Sequence, residues 1–137
     1  MSICLPLNGS LPRIQPQSGA GLVLIAEDDV ATRDAVVAML EELGITDVVT
    51  AFNGEQVFEA LQKRTFGTLL LDLMMPKVDG YEVLRELRAG TYPRPERVIV
   101  MSAHAQPAEL DGLLDLGADA FMPKPFTLTD LEKVLGI

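Results

Sequence analysis

The chain is poor in cysteine, histidine and basic residues, and each shortage excludes a class of protein. Its 137 residues include one cysteine, Cys4, and one histidine, so neither a disulfide framework nor a Cys/His zinc site can form. Lys and Arg number 11 against 20 Asp and Glu, which gives a net charge of −9. Because nucleic acids and anionic membranes bind basic surfaces, we expect no direct contact with either.

Long apolar runs are also missing. Nothing approaches the roughly 18 apolar residues of a membrane span, and the N-terminus lacks the positive start and apolar core of a secretion signal. We therefore expect a cytoplasmic protein. Residues 1–20 hold Pro6, Pro12 and Pro16 among Gly, Ser, Asn and Gln and show no periodicity, which predicts a flexible N-terminal tail. Residues 21–137 suit one domain.

From Leu22 onward, a short apolar run followed by an amphipathic stretch occurs five times. The runs are "LVLIA" (22–26), "DVVTA" (47–51), "TLLLD" (68–72), "RVIVMS" (97–102) and "DAFM" (119–122). They are continuous rather than alternating, so both faces of the sheet are predicted to be covered. The pattern indicates an α/β fold, a doubly wound (βα)5 sandwich around a parallel sheet.

Helix start signals follow each of these runs. They are Asp28 or Asp29, Asn53 with Gln56, Asp79 with Glu82, Pro107, and Thr127 with Asp130. Asp28 and Asp29 are equivalent by this criterion. Either of the two can cap the first helix.

Polar side chains also stand where the strands end, and open α/β sheets bind their ligands at that edge. They are Glu27, Asp28 and Asp29 after the first run, Asp72 at the end of the third, Ser102 at the end of the fourth and Lys124 after the fifth. Asp72 is the most telling, since it lies between apolar residues. A lone ionised carboxylate there costs several kcal/mol unless it is paired or binds a metal.

Carboxylates about 4 Å apart repel by roughly 4 kcal/mol at an effective dielectric of about 20, so a cation must offset them. Oxygen ligands suit Mg²⁺, and we expect Mn²⁺ to substitute. Carboxylates, Mg²⁺ and a lysine around one point indicate phosphoryl transfer. No Gly-rich phosphate loop is present, so a nucleotide is not the obvious donor. An aspartate can itself carry an acyl phosphate, which makes Asp72 the candidate phosphoacceptor.

Four segments carry a resemblance to a known family. "LVLIAEDD", "LLLDLMMPKVDGYEVL", "VIVMSAHA" and "GADAFMPKPF" resemble the response-regulator receiver domain of two-component signalling, over about residues 22–135. The resemblance implies a flavodoxin-like sheet of order 2-1-3-4-5. It implies that a histidine kinase or histidine phosphotransfer protein donates a phosphoryl group from phosphohistidine. It also implies a downstream protein target, and no enzyme activity beyond the domain's own phosphorylation and slow dephosphorylation.

The resemblance assigns a role to each site residue. Asp72 would accept the phosphoryl group, and Glu27 and Asp28 would hold the metal together with Asp72 and the backbone carbonyl of Met74. Ser102 and Lys124 would contact the phosphoryl group.

Three further assignments come from the same resemblance. The Lys124–Pro125 peptide would be cis. Phe121 stands at the switch position, where it lacks the hydroxyl or imidazole that often occurs there. Met74 and His104 would border the path of the water that hydrolyses the acyl phosphate.

Rival interpretations are weaker. A haloacid-dehalogenase-like phosphatase needs Asp-x-Asp, and Met74 occupies the second position; a topoisomerase-primase fold fails for the same reason. A flavodoxin would place a phosphate loop where this chain has the acidic "EDD". The remaining alternative is a receiver-fold binding module that works without phosphorylation, and the complete set of site residues argues against it.

Overall fold

The structure, a computed structural model, describes residues 5–6, 22–103 and 107–136. The strands are β1 (Leu5–Pro6), β2 (Val23–Ala26), β3 (Val48–Ala51), β4 (Thr68–Asp72), β5 (Arg97–Ser102) and β6 (Ala120–Pro123). The helices are α1 (Val30–Glu42), α2 (Gly54–Lys63), α3 (Gly80–Ala89), α4 (Pro107–Asp115) and α5 (Leu128–Leu135). The longest has 13 residues, and none in these ranges is both long and apolar enough to cross a membrane.

The predicted sheet is confirmed. Strands β2 to β6 are parallel and lie in the order β3-β2-β4-β5-β6, which is 2-1-3-4-5 when these five are counted along the chain. The winding reverses between β2 and β4, where Ala26 pairs with Leu71. The carboxyl ends of these two strands therefore lie side by side, at the position where doubly wound sheets bind ligands.

Two hydrophobic clusters cover the two faces of the sheet. Val36 of α1 and Leu131 of α5 belong to one cluster. Helices α2, α3 and α4 contribute to the other through Val57, Val83 and Leu113. Successive strand residues alternate between the clusters, because successive side chains of a strand point to opposite faces. The core thus lies on both sides of the sheet, as the continuous apolar runs predict.

The helix start signals are confirmed with one difference. Thr127 and Asp130 form the full reciprocal capping box at α5. At α2, Asn53 accepts from the Gln56 N–H as expected, but the Gln56 side chain accepts from the Phe52 N–H at 2.7 Å. Gln56 therefore satisfies a backbone donor one residue before the position that a capping box would use.

The strand β1 has no counterpart among the sequence predictions. Leu5 and Pro6 pair antiparallel with Phe121 and Ala120 of β6 and extend the sheet by a sixth strand. Apart from this pair, the predicted tail over residues 1–20 falls outside the described residues.

A buried arginine holds the end of the sheet opposite to the strand carboxyl ends. Arg97, the first residue of β5, is 2% exposed, and its Nη1 donates to the Leu135 carbonyl at 2.6 Å. A cation there complements the negative end of the α5 dipole. Burial lowers the pKa of the guanidinium from its usual value. The contact ties the start of β5 to the last turn of α5.

A close backbone approach fixes the loop after β4. The Gly80 N–H donates to the Leu73 carbonyl at 3.0 Å. A Cβ on Gly80 would lie 2.5 Å from the Asp72 carbonyl oxygen and 2.7 Å from the Leu73 Cα. Only glycine fits there without moving the backbone that carries Asp72.

We predict that Gly80→Ala lowers the free energy of unfolding by about 1–3 kcal/mol, the range typical of an overpacked site. Gly112→Ala is the matched control, because no atom beyond its chain neighbours and the backbone of its own helix lies within 4 Å of a Cβ there. That control should gain up to about 1 kcal/mol from the better helix former. Urea unfolding of the two variants and the wild type measures both changes. Wild-type stability in Gly80→Ala would contradict the packing described here.

Candidate functional site

Three carboxylates meet at the carboxyl edge of the sheet. Glu27 and Asp28 follow β2, and Asp72 ends β4. One ligand oxygen from each lies within 4.8 Å of the others. Glu27 and Asp72 are 1% and 4% exposed, whereas Asp28 faces solvent. The structure thus brings together the three acids that the sequence proposes as metal ligands.

Lys124 directly follows β6, which lies on the other side of β5 from the acids, and its side chain reaches them along the same edge of the sheet. Its Nζ forms an ion pair with Glu27 Oε1 and lies 3.4 Å from Asp72 Oδ2. Its backbone N–H donates to the Ser102 carbonyl at 2.9 Å, and the Lys124–Pro125 peptide is cis, as the resemblance implies. The lysine therefore reaches β2 and β4 from a backbone anchored on β5.

Glu27 lies deepest among the acids. Burial raises the pKa of its carboxyl above the usual value, the Lys124 hydrogen bond opposes that rise, and the neighbouring Asp72 adds to it. Oε2 also accepts from the Asp29 N–H at 3.2 Å. One ammonium group does not fully compensate two buried carboxylates, so the site favours a further cation.

The structure separates the roles of Asp28 and Asp29. Asp29 is the N-cap of α1 and accepts from the Thr32 N–H at 2.9 Å and the Thr32 hydroxyl at 2.7 Å. These hydrogen bonds lower the pKa of its carboxyl. Because Asp29 satisfies the helix start, the Asp28 carboxylate takes part in the cluster instead.

Asp72 is held from two directions. Its Oδ1 accepts from the Met74 N–H at 3.2 Å, while its Oδ2 faces Lys124. The next residue, Leu73, donates its N–H to the Met101 carbonyl at 3.4 Å. A buried, oriented carboxylate beside an ammonium group is suited to attack an electrophile that approaches from the exposed edge.

The remaining predicted residues lie at different depths. Ser102 ends β5, is buried, and stands opposite Pro123 in the strand register. Met74 is 65% exposed on the loop after β4, whereas Phe121 is 5% exposed and belongs to the core cluster under α2, α3 and α4. His104 lies in residues 104–106, outside the described ranges.

Arg33 was missed by the sequence analysis. Its Nη1 donates to the Glu27 carbonyl at 3.1 Å, and its guanidinium carbon lies 4.0 Å from the centre of the Phe52 ring. The arginine therefore braces the backbone of the acidic turn against the β3–α2 connection. No sequence signal indicates this contact, because Phe52 is far away along the chain.

The donor set fits Mg²⁺. If all three acids are ionised, they carry three negative charges against the single positive charge of Lys124, a local excess of two. All three offer hard oxygen ligands, and the exposed Asp28 side leaves room for the waters that Mg²⁺ retains. These residues can hold a divalent cation beside Asp72.

Residues 23–136 match the family described as "Response regulator receiver domain". The "Response regulator MprA" of Mycobacterium ulcerans is 37% identical over 109 residues, which cover 80% of this chain and 46% of that protein. The "Transcriptional regulatory protein CiaR" of Streptococcus pneumoniae is 33% identical, with 80% and 47% covered. The chain spans about half the length of these relatives.

Solved structures agree with the family match. The Vibrio cholerae chemotaxis protein CheY4 superposes with a TM-score of 0.75 at 25% identity, covering 83% of this chain and 94% of that one. The receiver domain of sensor histidine kinase PA1611 from Pseudomonas aeruginosa, solved with magnesium in its active site cleft, gives 0.73 at 28%, with 82% and 92% covered. Family match, sheet order and acidic pocket agree: the chain belongs to the response-regulator receiver domains of two-component signalling.

Proposed function

We propose that this receiver domain accepts a phosphoryl group on Asp72 from a phosphohistidine donor. The observation that carries the proposal is the Asp72 carboxylate itself. It is 4% exposed, grouped with Glu27 and Asp28, and 3.4 Å from the Lys124 ammonium. A structural ion pair alone does not require three acids around one lysine.

In the transfer, an Asp72 carboxylate oxygen attacks the phosphorus atom. The oxygen–phosphorus bond forms while the nitrogen–phosphorus bond of the phosphohistidine breaks. The electron pair of the broken bond returns to the imidazole nitrogen, so an aspartyl phosphate and a free histidine result. Lys124 pairs with the new phosphoryl oxygens, and this charge-assisted contact replaces part of its contact with Asp72.

Glu27, Asp28 and Asp72, with the backbone carbonyl of Met74, would hold Mg²⁺. When bound, the ion neutralises the negative charge that gathers on the transferred group. The acid cluster supports this assignment through its uncompensated charge and its oxygen donors. Substitution by Mn²⁺ stays a prediction from the sequence.

The surface around the site supports a protein donor. Val30, Phe52 and Met74 are three of the four exposed large hydrophobic residues in the described ranges, and all three lie on connections or a helix start at the carboxyl edge. A pocket of about 410 Å³ between α1 and the loop after β6 adjoins Lys124. An apolar rim around an acidic centre suits a histidine kinase or phosphotransfer protein with an apolar contact surface.

We infer that phosphorylation is read out through Ser102, Lys124 and Phe121 by a downstream protein target. Ser102 and Lys124 are joined by a backbone hydrogen bond, and Phe121 belongs to β6, the strand that directly precedes Lys124.

The excess of acidic over basic residues argues against direct nucleic-acid binding by this chain. A cytoplasmic location stays a prediction. The binding module that works without phosphorylation is not favoured, because the acid cluster and lysine are intact.

The central experiment treats the chain with Mg²⁺ and acetyl phosphate and follows its intact mass. We expect one added phosphoryl group, released by hydroxylamine as an acyl phosphate. Asp72→Asn should abolish the addition, while Asp34→Asn, at an exposed position of α1, should leave it unchanged. Equal labelling of wild type and Asp72→Asn would refute the assignment.

Magnesium should also stabilise the unphosphorylated chain. At 100 times the dissociation constant, a ligand bound only by the folded state adds about 2.7 kcal/mol to the free energy of unfolding. We expect Asp28→Asn to lose most of this gain and Asp34→Asn to keep it. Calorimetric melting in chelator and in rising Mg²⁺ measures the difference, and identical gains in the two variants would show that the ion binds elsewhere.

Met74 is predicted to govern the lifetime of the acyl phosphate. Its thioether has no strong donor or acceptor to orient an attacking water. The flexible side chain is 65% exposed, and the backbone N–H of the same residue donates to Asp72 Oδ1. Met74→Asn and Met74→Glu should therefore speed loss of the phosphoryl group after the donor is removed. The control is Leu114→Asn, an exposed apolar position on α4. Decay rates that do not change in the two Met74 variants would exclude this role.

A further inference from the structure

The outer edge of β6 carries a contact that phosphorylation chemistry does not use. β6 pairs with β5 on one side, and on the other side Leu5 stands directly opposite Phe121 in antiparallel register. Pro6 stands opposite Ala120. A strand edge presents unpaired N–H and C=O groups that a further extended segment can pair with.

The hydrogen-bond pattern identifies the residue of β6 that faces this edge. The Lys124 N–H donates to the Ser102 carbonyl of β5. Both backbone groups of a strand residue point to the same neighbour, and successive residues alternate. The even-numbered residues of β6 therefore face β5, and Phe121 faces Leu5. Pro6 has no N–H to offer, so Leu5 and Phe121 form the pair that can exchange two hydrogen bonds.

We propose that the outer edge of β6 is a strand-addition surface, and that Leu5 and Pro6 occupy it as an intramolecular ligand. The occupant is this chain's own N-terminal segment, which pairs through backbone atoms. Any other extended peptide that uses this edge has to displace it.

The position of this surface gives it a link to the site. Phe121 lies three residues before Lys124, whose ammonium contacts Glu27 and Asp72. The N-terminal segment thus binds to the strand that leads directly into the lysine. A peptide bound at the edge and a change at the acid cluster would act on the same four-residue strand.

Amide hydrogen exchange in the full chain, followed by NMR, tests the occupancy. In the wild type, we expect the Phe121 N–H to be protected. Leu5→Pro removes the N–H that Leu5 can donate to the Phe121 carbonyl and so weakens the whole pair. Exchange of the Phe121 N–H should then be about fivefold faster or more, as expected for loss of one hydrogen bond. Met122 is the internal control, because its N–H faces β5. Ser18→Pro is the matched variant, and it should change neither amide.

A second measurement tests whether the edge accepts a strand from outside. A synthetic peptide of residues 1–12, added to the Leu5→Pro chain, should slow Phe121 exchange again, whereas the same peptide with Leu5→Pro should not. An unprotected Phe121 amide in the wild type, or equal acceleration of Phe121 and Met122 in Leu5→Pro, would overturn the occupancy. No effect of either peptide would overturn the strand-addition surface.

Discussion

The contact on which the site depends is the pair of interactions that Lys124 makes with Glu27 and Asp72. Two carboxylates with almost no solvent exposure repel each other and lose their hydration, and a single ammonium group has to offset both effects. The lysine follows β6, which is separated from β4 by β5 alone. Its long side chain can therefore extend past the carboxyl end of β5 to the two carboxylates. The position of this one side chain therefore depends on the order of the strands, and the charge balance of the site depends on this side chain.

The positive charge of Lys124 does not balance the negative charge of the three carboxylates. The cluster retains negative charge on the side where Asp28 faces solvent, and this charge favours a cation beside Asp72. The pKa of Glu27 is raised chiefly because burial disfavours its ionised form, and the nearby Asp72 adds to the rise. A cation that bound only the folded site would stabilise the fold, so cation binding and folding would be coupled.

Much of this arrangement is predictable from the sequence. The strands and helices come from the apolar runs and capping residues, and the parallel sheet follows from apolar runs without alternation. Asp72 is conspicuous because a carboxylate between apolar residues demands an explanation. The sheet order came from the resemblance to receiver domains, since apolar periodicity does not determine which strands are neighbours.

Other features depend on tertiary proximity and leave no local pattern. Arg33 contacts the Glu27 carbonyl and the Phe52 ring only after β2 and β3 have paired. Asp28 and Asp29 look equivalent until the Thr32 hydrogen bonds assign the cap to Asp29. The strand formed by Leu5 and Pro6 lacks a run long enough to show any periodicity. In each case the deciding partner is distant in sequence or a backbone group that every residue possesses.

The buried Arg97 gives β5 two unlike ends. Its first residue is tied to the last turn of α5, while its last residue, Ser102, lies at the reactive edge. If a new charge at the site displaced Ser102, the four residues between it and Arg97 would have to absorb the movement, because the far end is held. Because β5 is also paired with β4 on one side and with β6 on the other, both neighbouring strands would share such a displacement, which would fade toward the anchored start of the strand.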